Sequence, residues 1–265
     1  MPLTPDRPCF FDSRWPVLYI DNHLLAVYKP SGLLVQSDST ADPCLQDLGK
    51  QWLKRRYHKP GNVFLAMVHR LDRPVAGVVL FARTSKAAAR LSAQFRERSV
   101  EKSYRAVVHG RVIQAEGRLI DHIERVDRRS RVVPHPTPHS QEARLTYGVL
   151  DRRGDTSLLQ VALETGRRHQ IRIQLAHMGH PIVGDLRYGA PAPLPYRAVA
   201  LLAHRLIVEH PTRQERLALV SPMPRGWPWS QAAIPDVPSP PWNWQEFAPT
   251  MVAASASTSS DDPPQ

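Results

Sequence analysis

The chain has 265 residues, 42% hydrophobic and 22% charged, which suits one large domain or two small ones and excludes a wholly disordered chain. Its 35 basic and 24 acidic residues give a net charge of +11, which favours an anionic partner, nucleic acid first; only six of the basic residues are Lys, so an arginine bias from genome composition would give the same surplus. No run of 18 apolar residues predicts a membrane span, residues 1–7 hold no apolar signal core, and Cys9 and Cys44 are too few for a disulfide framework or a four-thiolate zinc site, so the cytoplasm is the expected compartment.

Residues 1–14, with three prolines and few apolar side chains, read as a flexible leader. Val17–Ile20 and His23–Tyr28 read as strands joined by a turn at Asp21-Asn22. Lys29-Pro30-Ser31-Gly32 turns the chain, and Leu33–Val35 is expected to be a further short strand. Leu45, Leu48, Trp52 and Leu53 fall at helical spacing within 44–57. The apolar run Val63–Val68 leads into His69-Arg70-Leu71-Asp72-Arg73-Pro74. Ala76–Ala82 is apolar on both faces, the pattern of a central buried strand. Thr84 can cap a helix over 85–98, with Ala87, Ala88, Leu91 and Phe95 inward and Lys86, Arg90 and Arg96 outward. Ser103–Val108 is a strand closed by Gly110.

Residues 111–140, polar and basic with Arg125, Arg128, Arg129 and Arg131, read as short strands and a loop. Strands follow at Ala143–Leu150 and Ser157–Leu163. Thr165 is expected to cap a helix through Arg168–Met178, stopped by Gly179 and Pro181. Ala198–Val208 and Leu217–Val220 complete the strands. From 231 the chain turns Pro-rich and then Ala/Ser/Thr-rich, a composition that cannot pack a core. The expected organisation is a leader over 1–14, one folded domain over 15–230 and a disordered tail over 231–265. Many strands with few helices, not in strict alternation, predict an α+β fold with a mixed, largely antiparallel sheet flanked by helices and loops.

No P-loop, no Gly-x-Gly-x-x-Gly and no Gly-x-Ser-x-Gly elbow occurs. His177 and His180 are three apart, with His169 eight before His177, but no His-Glu-x-x-His or paired Cys supports a metal site. Two segments stand out. Around Asp72, one carboxylate and two guanidinium groups lie between apolar runs. A buried Asp there must pair with a cation or be protonated, and a solvated turn Asp fits the pattern as well. Around Arg167, Arg168, His169 and Arg172, cations gather at the expected start of a helix, where the macrodipole disfavours them. They could form an anion site, or Arg168 and Arg172, four apart, could be one solvated stripe.

Tyr28–Gln36, His69–Arg73 with the following Gly77, Phe95–Ala106, Thr165–Arg172, Gly179–Asp185, and Leu202–Leu206 with His210-Pro211 resemble, in this order, the motifs of the RluA family of pseudouridine synthases. The blocks span roughly 17–224. The resemblance implies isomerisation of uridine to pseudouridine in structured RNA, ribosomal or transfer, by base flipping, with no cofactor and no metal. It implies a stand-alone catalytic domain, a monomer whose partner is RNA and not membrane. Asp72 matches the catalytic carboxylate and Tyr104 the Tyr that packs on the target base. Arg172, or failing it Arg167, matches the Arg paired with the carboxylate. Arg70 matches the residue that fills the space left by the everted nucleotide. Arg73, Lys102, Arg167, Arg168 and His169 are the further expected RNA contacts. Val75-Ala76 stand where the family usually has Thr-Ser, which removes two hydroxyls near the catalytic loop. Many members of the family also carry a small RNA-binding domain ahead of the catalytic one, which is expected to be absent here because the residues before the first strand are too few. Two other readings need weighing: a non-catalytic RNA-binding protein on the same fold, and a hydrolase pairing Asp72 with Glu164 as second acid.

Overall fold

The computed structural model describes residues 17–229 apart from 41, 127–128 and 225–226; the expected leader, the expected tail and Arg128 lie outside the described residues. Chain order gives β1 (Val17–Ile20), β2 (Leu24–Lys29), α1 (Leu45–Arg56), β3 (Ala66–Met67), β4 (Ala76–Ala82), α2 (Ser85–Glu97), β5 (Glu101–His109), β6 (Glu116–Val126), β7 (Arg129–Val133), β8 (Ser140–Arg153), β9 (Thr156–Leu163), α3 (Gln170–His177), β10 (Leu201–Glu209) and β11 (Arg216–Val220). Among the described residues the strands form one sheet in the order β1-β2-β4-β10-β5-β9-β8-β6-β7, with β3 on β4 and β11 on β10. Every pairing is antiparallel except β4 with β10. This is the mixed, largely antiparallel α+β architecture that the strand-rich pattern predicts.

Local chemistry explains the elements. Asp21 turns β1 into β2 by accepting the backbone N–H groups of His23 and Leu24 at 2.8 and 2.7 Å. The same carboxylate takes bonds from His210 and Arg213, both at 2.7 Å, and so fastens the first hairpin to the turn before β11. Strand β4 is buried along its whole length because it feeds two cores. Val79 and Phe81 join Leu45, Leu48 and Trp52 of α1 on one face, while Val78 and Leu80 meet Ala87 and Leu91 of α2 on the other. Each buried Val, Leu or Phe among them contributes about 1.5–3 kcal/mol. Thr84 caps α2 as expected, accepting the Ala87 N–H at 3.2 Å.

The sheet splits beside β4, and the split creates the site. β4 and β10 pair only at Leu202↔Ala76 and Ala203↔Gly77 before they diverge. Gly77, at φ +133°, is required at the junction: a Cβ there would lie 2.4 Å from the Ala203 carbonyl oxygen. Further along β4, Ala82 and Phe81 pair with β3 instead. Between the two, the His69 ring takes the place of a strand, its Nε2 accepting the Leu80 N–H at 2.9 Å while the ring stacks on Phe95 at 5.0 Å. Residues 68–75 are thereby threaded into the gap.

Several expected elements differ. Leu33–Val35 is not a strand: Leu34 forms a single bridge with Cys44, and the Leu33 carbonyl is taken by the Lys29 ammonium. Of Val63–Val68 only Ala66–Met67 is strand, because His69 ends the ladder. Residues 111–140 hold one of the longest strands, β6, with β7 folded back on it. Thr165 does not cap α3. Its hydroxyl accepts the Arg144 N–H and donates to Gln170 Oε1, both at 2.8 Å, and Gln170 Oε1 accepts the Arg167 N–H. The helix starts at Gln170, after His169 in the left-handed region (φ 56°). β10 begins at Leu201 rather than Ala198.

Candidate active site

A cleft of about 500 Å³ opens where the 68–75 segment, the end of α2, β5 and the loop before α3 converge. Asp72, Tyr104, Arg172, Arg70, Lys102, Arg167, Arg168 and His169 all line it. Residues a hundred positions apart meet here because β10 lies between β4 and β5, bringing the early and late halves of the chain side by side. Arg73 does not line the cleft. Its Nε donates to the Gly32 carbonyl at 2.9 Å and its guanidinium pairs with Asp42 at 2.7 Å, so it braces the loop from the other side.

Asp72 sits at the cleft wall with its side chain partly exposed, and its Oδ2 accepts Arg172 Nη1 at 3.2 Å. Arg172 is buried, on a helix whose first turn offers no acidic residue. Its second partner is Asp185, also buried, which accepts Nε at 2.6 Å and Nη2 at 2.8 Å. Burial works against the Arg172 cation, but the bonds and charge of Asp185, with those of Asp72, outweigh it and hold its pKa above the ordinary guanidinium value. The fork thus leaves one nitrogen aimed at Asp72. Arg172 is therefore not part of a solvated stripe with Arg168, which is exposed on the loop ahead of the helix.

His169 lies 3.6 Å from Asp72 through Nε2, beyond hydrogen-bond range, and meets the Tyr188 hydroxyl at 2.7 Å through Nδ1. Burial pushes its pKa down to about 4, against the pull of Asp72, so the ring is neutral at pH 7. Tyr188 also lies 5.1 Å below the Arg172 guanidinium. Burial, and then the charge of Asp72, raise the Tyr104 hydroxyl pKa, so it stays protonated. Burial, then Arg98, lower that of Lys102.

Asp185, Tyr188 and Lys29 support the site and were not singled out by sequence reasoning. Lys29 is fully buried, with Nζ donating to the carbonyls of Pro30 (2.9 Å), Leu33 (2.8 Å) and Arg73 (3.1 Å). It joins the loop after β2 to the peptide next to Asp72. Burial pushes its pKa down to about 7, against the charge of Asp72. A signal for Lys29 exists: it is a lone cation at the end of an apolar run, directly before Pro30. Asp185 falls in the Gly179–Asp185 block, and a buried Arg shared with an exposed carboxylate calls for a second acid. Glu164 is not that acid. It is held by Arg118 at 3.0 and 2.8 Å and by Arg144 at 3.3 Å and does not line the cleft, so the hydrolase reading loses its acid pair.

The sequence pattern of RNA pseudouridylate synthase matches residues 23–177, more than half of the chain. The chain belongs to the RNA pseudouridylate synthase family. The isomerase activity expected from its motifs is the activity of this family, and the relatives fall in its RluA group. Ribosomal large subunit pseudouridine synthase D of Pseudomonas aeruginosa is 34% identical over 236 residues, covering 82% of this chain and 71% of that protein. The chain spans 65% of the length of ribosomal large subunit pseudouridine synthase C of Vibrio cholerae, at 32% identity. tRNA pseudouridine synthase C of Yersinia pestis is 32% identical over 243 residues, covering 80% and 87%. Among solved structures, human RNA pseudouridylate synthase domain containing 4 aligns with TM-score 0.67 and 26% identity over 79% of this chain and 88% of that one.

Proposed function

We propose that this pseudouridylate synthase isomerises uridine in structured ribosomal or transfer RNA, with Asp72 as the catalytic carboxylate. The observation that carries the assignment is the Asp72–Arg172–Asp185 array: one accessible carboxylate in a basic cleft, paired with a buried guanidinium that a second, inaccessible carboxylate holds in position. The target nucleotide is flipped out of its stack, at a cost of a few kcal/mol. Stacking on the Tyr104 ring recovers about 1–3 kcal/mol. Asp72 acts as nucleophile or base while the bond from ribose C1′ to uracil N1 breaks. The uracil turns within the cleft, C1′ bonds to C5, and the C5 proton leaves to solvent as N1 gains one. The reaction is balanced with no redox step. Arg70, exposed at the cleft mouth, fills the gap in the RNA, and Arg167, Arg168 and Lys102 meet phosphates.

The domain over 15–230 works as a monomer whose partner is RNA. Its RNA substrate is consistent with work in the cytoplasm.

The test is tritium release from RNA labelled at uracil C5. The wild type is expected to release label and leave the RNA intact, and Asp72→Asn to release none while binding RNA with unchanged affinity. Normal turnover by Asp72→Asn would overturn the assignment, and RNA binding without release by the wild type would favour a non-catalytic binder. Tyr104→Phe is expected to keep more activity than Tyr104→Ala, because the ring remains; equal losses would shift the role to the hydroxyl.

A further inference from the structure

Side chains alternate across a strand, so the β5 residues next to Tyr104 face away from the cleft. Ser103 and Arg105 point to the opposite face of the sheet, beside Ala162 and Gln160 of β9. Helix α2 packs on β3, β4 and β10 and ends at Glu97. Beyond it a second groove, of about 750 Å³, runs over β5, β9 and β10.

The charge of this groove is uncompensated. Arg98, Lys102, Arg105 and Arg205 line it, and among the described residues none of the four has a carboxylate within ion-pair distance. Its two acidic residues are already committed, Glu101 to Arg216 and Glu164 to Arg118 and Arg144. Arg105 is half-buried, and burial lowers its pKa. In the same wall the buried Nδ1 of His204 has no hydrogen-bond partner. A half-buried guanidinium without a counter-charge is relieved by an anion. The groove also continues from the catalytic cleft, because Arg98, Lys102 and Leu163 line both.

We propose that this groove binds the phosphodiester backbone of the RNA segment adjoining the flipped uridine, as an exosite reached over the Lys102 ridge. The inference rests on RNA being the substrate. It adds that recognition extends to the sheet face behind Tyr104, so a substrate needs flanking RNA as well as a uridine.

The test uses Arg105→Gln, Arg205→Gln and the double variant, none of which alters the cleft lining, with Arg105→Lys as a charge-retaining control. Kd is measured by filter retention, without turnover, for a stem-loop RNA and for a uridine-centred trinucleotide too short to leave the cleft. For the stem-loop, Kd is expected to rise on the order of ten-fold in the double variant, and the slope of log K against log salt to fall by about one per removed charge. Arg105→Lys should bind like the wild type, and trinucleotide affinity should not move. An unchanged stem-loop Kd, or equal weakening for both RNAs, would overturn the exosite. Because binding is read directly, a wild type that bound RNA without releasing tritium would count against the isomerase reading and leave this result standing.

Discussion

The Arg172–Asp185 pair lets the structural and chemical roles of one guanidinium be separated. Arg172 is 5% exposed and Asp185 1%. In Arg172→Met the Asp185 carboxylate keeps its burial and loses both of its side-chain bonds. Breaking such a pair from one side costs about 3–5 kcal/mol, a large fraction of the ~5–15 kcal/mol that holds a domain folded. For a domain of this size each kcal/mol moves the melting temperature by about 2–4 °C, so a fall of roughly 6–20 °C is expected. Adding Asp185→Asn removes the orphaned charge, and most of the loss should return, since an uncharged replacement of both partners is often close to neutral. Turnover should not return, because Asp72 still lacks its cation. Thermal unfolding by circular dichroism and tritium release, run on both single variants and the double, give the full cycle. A wild-type melting temperature for Arg172→Met would refute the buried-pair argument. Recovery of turnover in the double variant would mean that Arg172 serves only to neutralise Asp185.

Lys29 carries a pH signature. Its pKa of about 7 in the fold lies below the ordinary 10.5, so between these values the unfolded chain binds a proton that the native chain lacks. Stability contributed through this group therefore rises from pH 7 towards 10.5, and Lys29→Met should remove that rise; urea unfolding at pH 7 and 9.5 reads the difference, and identical slopes would refute the assignment. At the sheet junction, Gly77→Ala forces a Cβ to within 2.4 Å of the Ala203 carbonyl oxygen at φ +133°. It should separate β4 from β10 and abolish soluble, cooperative folding, whereas Gly61→Ala, with open space around it, should not; equal melting curves would show that the junction tolerates a side chain.

Legibility followed the strength of the local pattern. β4 could be read because seven consecutive small or apolar residues have no other home, and α2 because its cap and its apolar stripe agree. β6 reads from sequence as short strands and a loop because Arg118, Asp121 and Glu124 interrupt its apolar residues. It pairs on both edges with β7 and β8, and hydrogen bonding rather than one-sided burial keeps it straight. The Leu33–Val35 run is too short for its apolar character to decide between ladder and loop. In the cleft, Asp72, Tyr104 and Arg172 were legible through their motifs. Asp185 lies in a motif block as well, but its pairing with Arg172 is not legible there, because it is made where the 3-10 turn at Leu186–Tyr188 packs back on α3. Arg73 stands apart from the cleft because neighbours on a tight turn point opposite ways: Asp72 faces the cleft, and its successor faces Asp42.

The position of β10 between β4 and β5 sets a timetable for the nascent chain. Strand β4 is complete when Ala82 is made, but its parallel neighbour ends only at Glu209. At about 5–20 residues per second the ribosome takes roughly 6–25 s to cover that interval. Meanwhile the apolar edge of β4 beside Ala76 and Gly77 waits unpaired, as does the edge of β5 destined for the same strand. The early polypeptide thus spends seconds with a slot open in its sheet, and Asp72 gains its final surroundings when one late strand fills it.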